Sequence, residues 1–162
     1  MPEIIGDGME RWDIVTSIAN ILFPTAAELN SGVRVSPYMT RDGATGFTPE
    51  TADAPTSNKE ATFDTAVNGT LSLSNPRLRF LRQTPLATDP AYIATGRDQE
   101  AFLVRRNSLK AATAYANNGQ LVDIIPVMFS QKAKLDQDQN QPERYDVPVK
   151  LTGEPVFDVA VV

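Results

Sequence analysis

The segment YDVPVKLTGEPVFDVAVV, Tyr145 to Val162, alternates with a period of two. Tyr145, Val147, Val149, Leu151, Gly153, Pro155, Phe157, Val159 and Val161 are apolar, Gly or Pro. Asp146, Lys150, Thr152, Glu154 and Asp158 stand between them. Side chains on a strand point to alternate faces, so this pattern demands a strand with one face buried. A hairpin turn at Gly153-Glu154 would set Val149 against Asp158 and Lys150 against Phe157. Register therefore argues for a single long strand, bent or bulged at Gly153 and passing from one sheet to the edge of another. A sticky apolar edge is a hazard for a monomer and a working part of a strand-sharing assembly, so its end is expected to pair with a neighbouring chain.

The rest of the chain follows the same period, with little helix. WDIVTSIAN (Trp12–Asn20) and VRVSPYMT (Val33–Thr40) read as strands, the second interrupted by Pro37. Between them PTAAELNSG carries Thr25 as an N-cap and Glu28 at capping-box spacing, which predicts one or two helical turns. ATFDTAV and TLSLS flank Asn68-Gly69, the signature of a tight hairpin. RLRFLR alternates Leu78 and Phe80 with Arg77 and Arg79, a half-buried strand whose arginines seek carboxylates on neighbours. TDPAYIATG is a second helical turn, with Asp89 as N-cap and Pro90 at the first position. EAFLVRR and LVDIIPVMF are strands, the latter apolar on both faces and so central. The expectation is a mainly β fold in one domain: a β-sandwich or barrel of about seven or eight antiparallel strands, a short flanking helix and a long extended loop.

That loop is RDGATGFTPETADAPTSNKE, residues 41–60. Loops this long are usually functional or disordered, and this one, with Asp42, Gly43, Phe47, Pro49, Asp53 and Pro55, is read as an interaction loop. Residues 1–9 read as a flexible arm, without the basic and apolar regions of a signal peptide.

Chemistry is narrowly bounded. The chain has no Cys and no His, which removes thiolate catalysis, disulfides and the commonest general base and metal ligand. DQDQNQPE begins like a calcium loop but has Gln141 and Val147 where Gly and Glu are needed, so it reads as a solvated loop. Glu143 and Asp146 read as surface charge, and Asn68-Gly69-Thr70 as a turn. No catalytic residue, cofactor or metal site is expected, and no stretch is apolar enough for a membrane span. A net charge of −5 disfavours binding to nucleic acid through a basic face.

Several pieces, in order from about residue 10 to 162, resemble the tail tube proteins of siphophages, those of actinobacterial phages above all. They are W-DIVTSIAN, PTAAELNSG, YMTRDG with its Thr/Pro/Asp-rich continuation through DAP, DPAYIATGRDQEAFLVRR, VDIIPVMFSQKAKL and VPVKLTGEP. The resemblance implies a non-enzymatic virion subunit, assembled in the bacterial host cytoplasm into hexameric rings that stack into a tube. Implied partners are further copies of the chain, the tape measure, terminator and distal tail proteins, and phage DNA passing without specific binding. An acidic lumen suits such a conduit, and Asp123, Asp146 and Asp158 are the candidate lumen-facing carboxylates. Pro76 and Asn68-Gly69 depart from the family pattern and leave the pairing of residues 61–82 open. A second reading also stays open: another virion β-fold protein, such as a tail terminator or head–tail joining protein. A ligand-binding barrel or a hydrolase is disfavoured, because no set of polar residues converges.

Overall fold

The structure is a computed structural model that describes residues 2–162. Met1, the first residue of the expected arm, lies outside the described residues. The strands are β1 (Arg11–Val15), β2 (Val33–Arg34), β3 (Met39–Thr45), β4 (Pro49–Pro55), β5 (Ala66–Leu73), β6 (Arg77–Leu81), β7 (Glu100–Arg106), β8 (Leu121–Phe129), β9 (Ala133–Lys134), β10 (Arg144–Leu151) and β11 (Val156–Ala160). Two five-residue helices accompany them, α1 (Ala26–Asn30) and α2 (Pro90–Ala94).

The main sheet is antiparallel, in the order β2-β1-β7-β8-β10-β6-β3, and curls into a half-barrel. The mainly β architecture expected from the alternation is the one found. β10 makes the curl possible. Its first residues, Arg144–Pro148, pair with β6, and Val149–Leu151 pair with β8. One strand thus serves two sheet halves. The chain then breaks at Thr152–Pro155, and β11 continues in the same direction along β8, from Val156↔Ile124 to Ala160↔Leu121. Tyr145–Ala160 is therefore one interrupted strand, bent about Gly153.

Alternation along β1, β7 and β8 sends side chains to two cores. Trp12, Ile14, Leu103, Ile125, Val127 and Phe129 pack on one face with Leu78, Phe80, Tyr145 and Val147. Val15, Val104, Val122 and Ile124 pack on the other with Leu29 of α1, Tyr115 and Val161. The capping box of α1 is present. The Thr25 hydroxyl accepts from the Glu28 N–H, and the Glu28 carboxylate accepts from the Thr25 N–H at 3.0 Å. Bonds from Thr25 and from the Ala19 N–H hold the Glu28 carboxyl below its ordinary pKa, the Ala19 bond being the larger cause. In α2, Asp89 caps Tyr92 and also accepts from the Gln83 N–H, fixing the approach from β6.

Two expectations are corrected. Residues 41–60 are not one long loop: 41–45 complete β3 and 49–55 are β4, joined by a corner at Gly46, and 56–60 begin the connection to β5. The composition misled because ribbon strands bury neither face, so they lack the apolar alternation by which strands are read. The Asn68-Gly69 pair is not a hairpin turn either, for it lies inside β5. Thr51 pairs with Leu71 but Asp53 pairs with Asn68, so Gly69 and Thr70 together oppose Ala52. That is a β-bulge. A Cβ on Gly69 would stand 2.8 Å from the Ala52 carbonyl oxygen, so the bulge requires glycine here.

Candidate assembly surface

β4 and β5 form a two-stranded ribbon outside the main sheet, and nearly all their residues are exposed. The bulge decides what this ribbon presents. Below it, Pro49 and Thr51 face Leu73 and Leu71; above it, Ala54 faces Val67. By the two-residue period, the extra residue moves Val67 to the face opposite Leu71. The ribbon thus shows an apolar surface on one face near its base and on the other face near its tip. Val67 is 57% exposed and Phe63, in the connection beyond it, 73% exposed. No buried contact explains either.

The expected contact residues divide. Pro49, Asp53 and Pro55 are exposed on β4, and Asp42 is exposed on β3. Phe47 is not available as a contact residue. It is buried against Trp12 with ring centroids 5.2 Å apart, where it closes the main core. Gly43 is also buried. A Cβ there would meet the Thr40 carbonyl oxygen at 2.7 Å, within a bulge where Met39 pairs with Phe80 and Ala44 with Leu78.

The terminal strand divides similarly. Val147 and Val149 are consumed by the subunit's own core. Leu151 and Gly153 are exposed, and Pro155, Phe157 and Val159 are half-buried. Among the described residues β11 pairs with β8 alone, so its outer edge is open. β2 and β3, the two ends of the sheet, present open edges as well. Val161 and the final carbonyl are tied down instead. The Val161 N–H donates to Gln120 O, the Val162 N–H to Pro24 O, and the Ala26 N–H to Val162 O.

Of the three candidate lumen carboxylates, Asp146 is removed. It is 6% exposed, and its oxygens accept from Arg77 Nη1 at 2.6 Å and Arg79 Nε at 2.7 Å. A residue buried within the subunit cannot face a lumen, because assembly only adds burial. The Asp146 hydrogen bond, followed by its charge, raises the Arg79 pKa above its ordinary value. Asp123 and Asp158 stay accessible and come together, with the Asp158 N–H donating to Asp123 Oδ1 at 2.9 Å. Asp158 has φ +52° where the register of β11 shifts. Arg105 is the cross-strand neighbour of Asp123, so this corner is of mixed sign.

One polar cluster had little signal in the linear order. Asp13, fully buried, accepts from Arg11 Nε at 2.6 Å and from the Tyr115 hydroxyl at 2.5 Å. Arg11 also donates to Thr113 O, and Arg106 donates to Gln120 Oε1 and Lys110 O. Together they brace the β7–β8 loop against β1. Burial, then the Asp13 charge, pushes the Tyr115 hydroxyl far above its ordinary pKa. Arg11 feels burial most strongly, which lowers its pKa, but the Asp13 bond and charge outweigh it. Only the alternation of Trp12 and Ile14, which puts Asp13 on the second face, hinted at the position.

Among the described residues no group of His, Cys, Asp and Glu could hold a metal ion. No helix among the described residues is long and apolar enough to cross a membrane. The sequence matches the family described as phage tail tube protein over residues 1–162, the whole chain. The chain belongs to the phage tail tube protein family. No curated protein matches it. A solved structure of similar fold is a chain of the anti-feeding prophage baseplate, determined by cryo-electron microscopy with sixfold symmetrisation. It is 10% identical with a TM-score of 0.56, and the match covers 97% of each chain. As a tail tube family member, the protein has a structural role in the virion tail.

Proposed function

We propose that the protein forms hexameric rings that stack into the tail tube of a siphophage, the conduit for DNA during ejection. The carrying observation is a half-barrel with open edges at β2, β3 and β11 beside an unburied ribbon. A half-barrel is an incomplete closure. Head-to-tail copies joined edge to edge close a common wall and remove the exposed strand edges. The sixfold symmetry of the structurally similar baseplate supports six copies. The ribbon tip, with Phe63 and Val67, reaches an adjacent subunit or the next ring. Pro49, Asp53 and Pro55 lie along that ribbon, and Leu151 to Val159 lie along the open terminal edge.

DNA passes without specific binding, since a net charge of −5 repels phosphate from the wall. Asp123 and Asp158 are the carboxylates proposed to face it. Tape measure, terminator and distal tail proteins are the proposed partners at the lumen and the tube ends, and assembly takes place in the host cytoplasm. Residues 2–9 and the ribbon tip are proposed to order fully on assembly.

Negative-stain electron microscopy of the concentrated protein tests this reading. Hollow tubes with a regular axial repeat are expected, and replacing Thr56–Thr65 by Asn-Gly should leave folded subunits that no longer stack. Closed rings that never stack would favour a terminator or joining protein. Monodisperse particles at every concentration would count against self-assembly.

A further inference from the structure

An unfilled apolar trough of about 580 Å³ lies at the ribbon base, lined by Leu73, Pro76, Pro148, Val149 and Leu151. It adjoins a smaller hollow of about 250 Å³ between Leu71 and Pro155, and the two share Leu73 and Leu151. The rim is cationic. Arg77 and Arg79 share the carboxylate of Asp146, and Arg79 also meets Asp42 at 3.5 Å, so the positive charge in excess is that of Lys150. Glu154 stands at the far end, beside the smaller hollow.

The N-terminal arm has the complementary chemistry. Residues 2–6 form neither strand nor helix, and Ile4 and Ile5 are 65% and 78% exposed. Adjacent exposed isoleucines forgo the stabilisation that burial of apolar surface brings. Around them the arm carries Glu3 and Asp7 and neither Lys nor Arg. Its root is fixed, because the Ala111 N–H donates to Gly8 O at 2.9 Å. In its own subunit Ile4 stands by Arg105, Asn107 and Ser108, away from the trough. From Gly8, residues 3–7 extend roughly 17 Å, enough to cross a subunit boundary.

We infer that the trough of one copy receives Ile4 and Ile5 of a second copy, with the arm's carboxylates toward Arg77 and Lys150. The inference rests on the assembly reading above and assigns the arm its seat. The contact is heterologous, since arm and trough are different surfaces of the same chain. It therefore propagates around a ring or along a stack and does not end at a dimer.

The chain has no cysteine, so Ile5→Cys with Leu151→Cys gives an unambiguous test. Both positions are exposed, so the subunit should fold. Oxidised assemblies are expected to yield a ladder of disulfide-linked oligomers on a non-reducing gel, and dilute unassembled protein only monomer. Tubes that form normally without linked species overturn the inference while leaving the assembly reading intact. Failure of the parent protein to polymerise at all overturns both. A ladder from Phe63→Cys with Leu151→Cys, and none from the arm pair, would give the trough to the ribbon tip and overturn the inference. Independently, Glu3→Lys should raise the critical concentration about two- to fivefold, and adding Lys150→Glu should restore it. No change with Glu3→Lys, or no restoration by the second substitution, counts against the seat.

Discussion

Replacing Asp13 by Ala isolates the buried cluster that braces the β7–β8 loop. The carboxylate is fully buried and its partner Arg11 retains 9% side-chain exposure. Without Asp13, Arg11 loses bonds at 2.6 and 3.1 Å and keeps only Thr113 O at 2.7 Å, while the Tyr115 hydroxyl loses its acceptor. Removing one member of a buried ion pair leaves an uncompensated charge and costs about 3–5 kcal/mol. In a chain of this length 1 kcal/mol moves Tm by about 2–4 °C, so a loss of about 6–20 °C is expected. Tyr115→Phe removes one bond to a charged acceptor that keeps both Arg11 bonds, and should cost about 1.5–3 kcal/mol. The double variant Arg11→Met, Asp13→Leu removes both charges and should lie closer to the parent than Asp13→Ala. Calorimetry or circular dichroism melts of the four proteins give the order directly. If Asp13→Ala melts within about 2 °C of the parent, or the double variant falls below it, the reasoning fails.

Further outcomes follow from the same structure. Phe47→Ala should cost about 3–5 kcal/mol in a melt, as a core truncation beside Trp12, whereas a surface contact residue would leave Tm unchanged. Gly46→Val should disrupt the β3–β4 corner and lower soluble yield, because φ is +79° and a Cβ would approach Ser74 O to 2.4 Å. Burial, with Asp13 or Asp89 charge behind it, raises the Tyr115 and Tyr145 hydroxyls above their ordinary 10. The unfolded chain then sheds these protons first, so stability should fall as pH rises above about 10. Denaturant melts from pH 8 to 11 should show that fall, flattened in Tyr115→Phe with Tyr145→Phe.

Where burial imposed a period on one face, or an apolar run on both, the sequence was readable. β6, β7 and β8 appear where Leu78 and Phe80, Ala101 and Leu103, and Leu121 to Phe129 lie. Thr25, Glu28 and Asp89 marked the helix starts, because capping is a local interaction among residues within a few positions. Parity from Tyr145 to Val149 marked β10, but Val161 packs in the second core and not with Val147 and Val149, because the break at Thr152–Pro155 and the register shift between Val156 and Val159 change the face.

Tertiary structure decided the rest. β4 was invisible because exposed strands need no apolar side chains, and β5 was read as two strands because Asn68-Gly69 fits a bulge as well as a turn. Which it is depends on the partner, Ala52, sixteen residues before Asn68. Phe47 looked like a lone apolar residue in a polar stretch, and only the fold placed it over Trp12. Asp146 carried the same charge as Asp123 and Asp158. Its separation from them came from Arg77 and Arg79, which β6 brings alongside β10. Period and caps are short-range and written along the chain. Pairing partners, burial of single charges and the direction of an apolar face depend on residues far apart in sequence, and those only the assembled sheet defines.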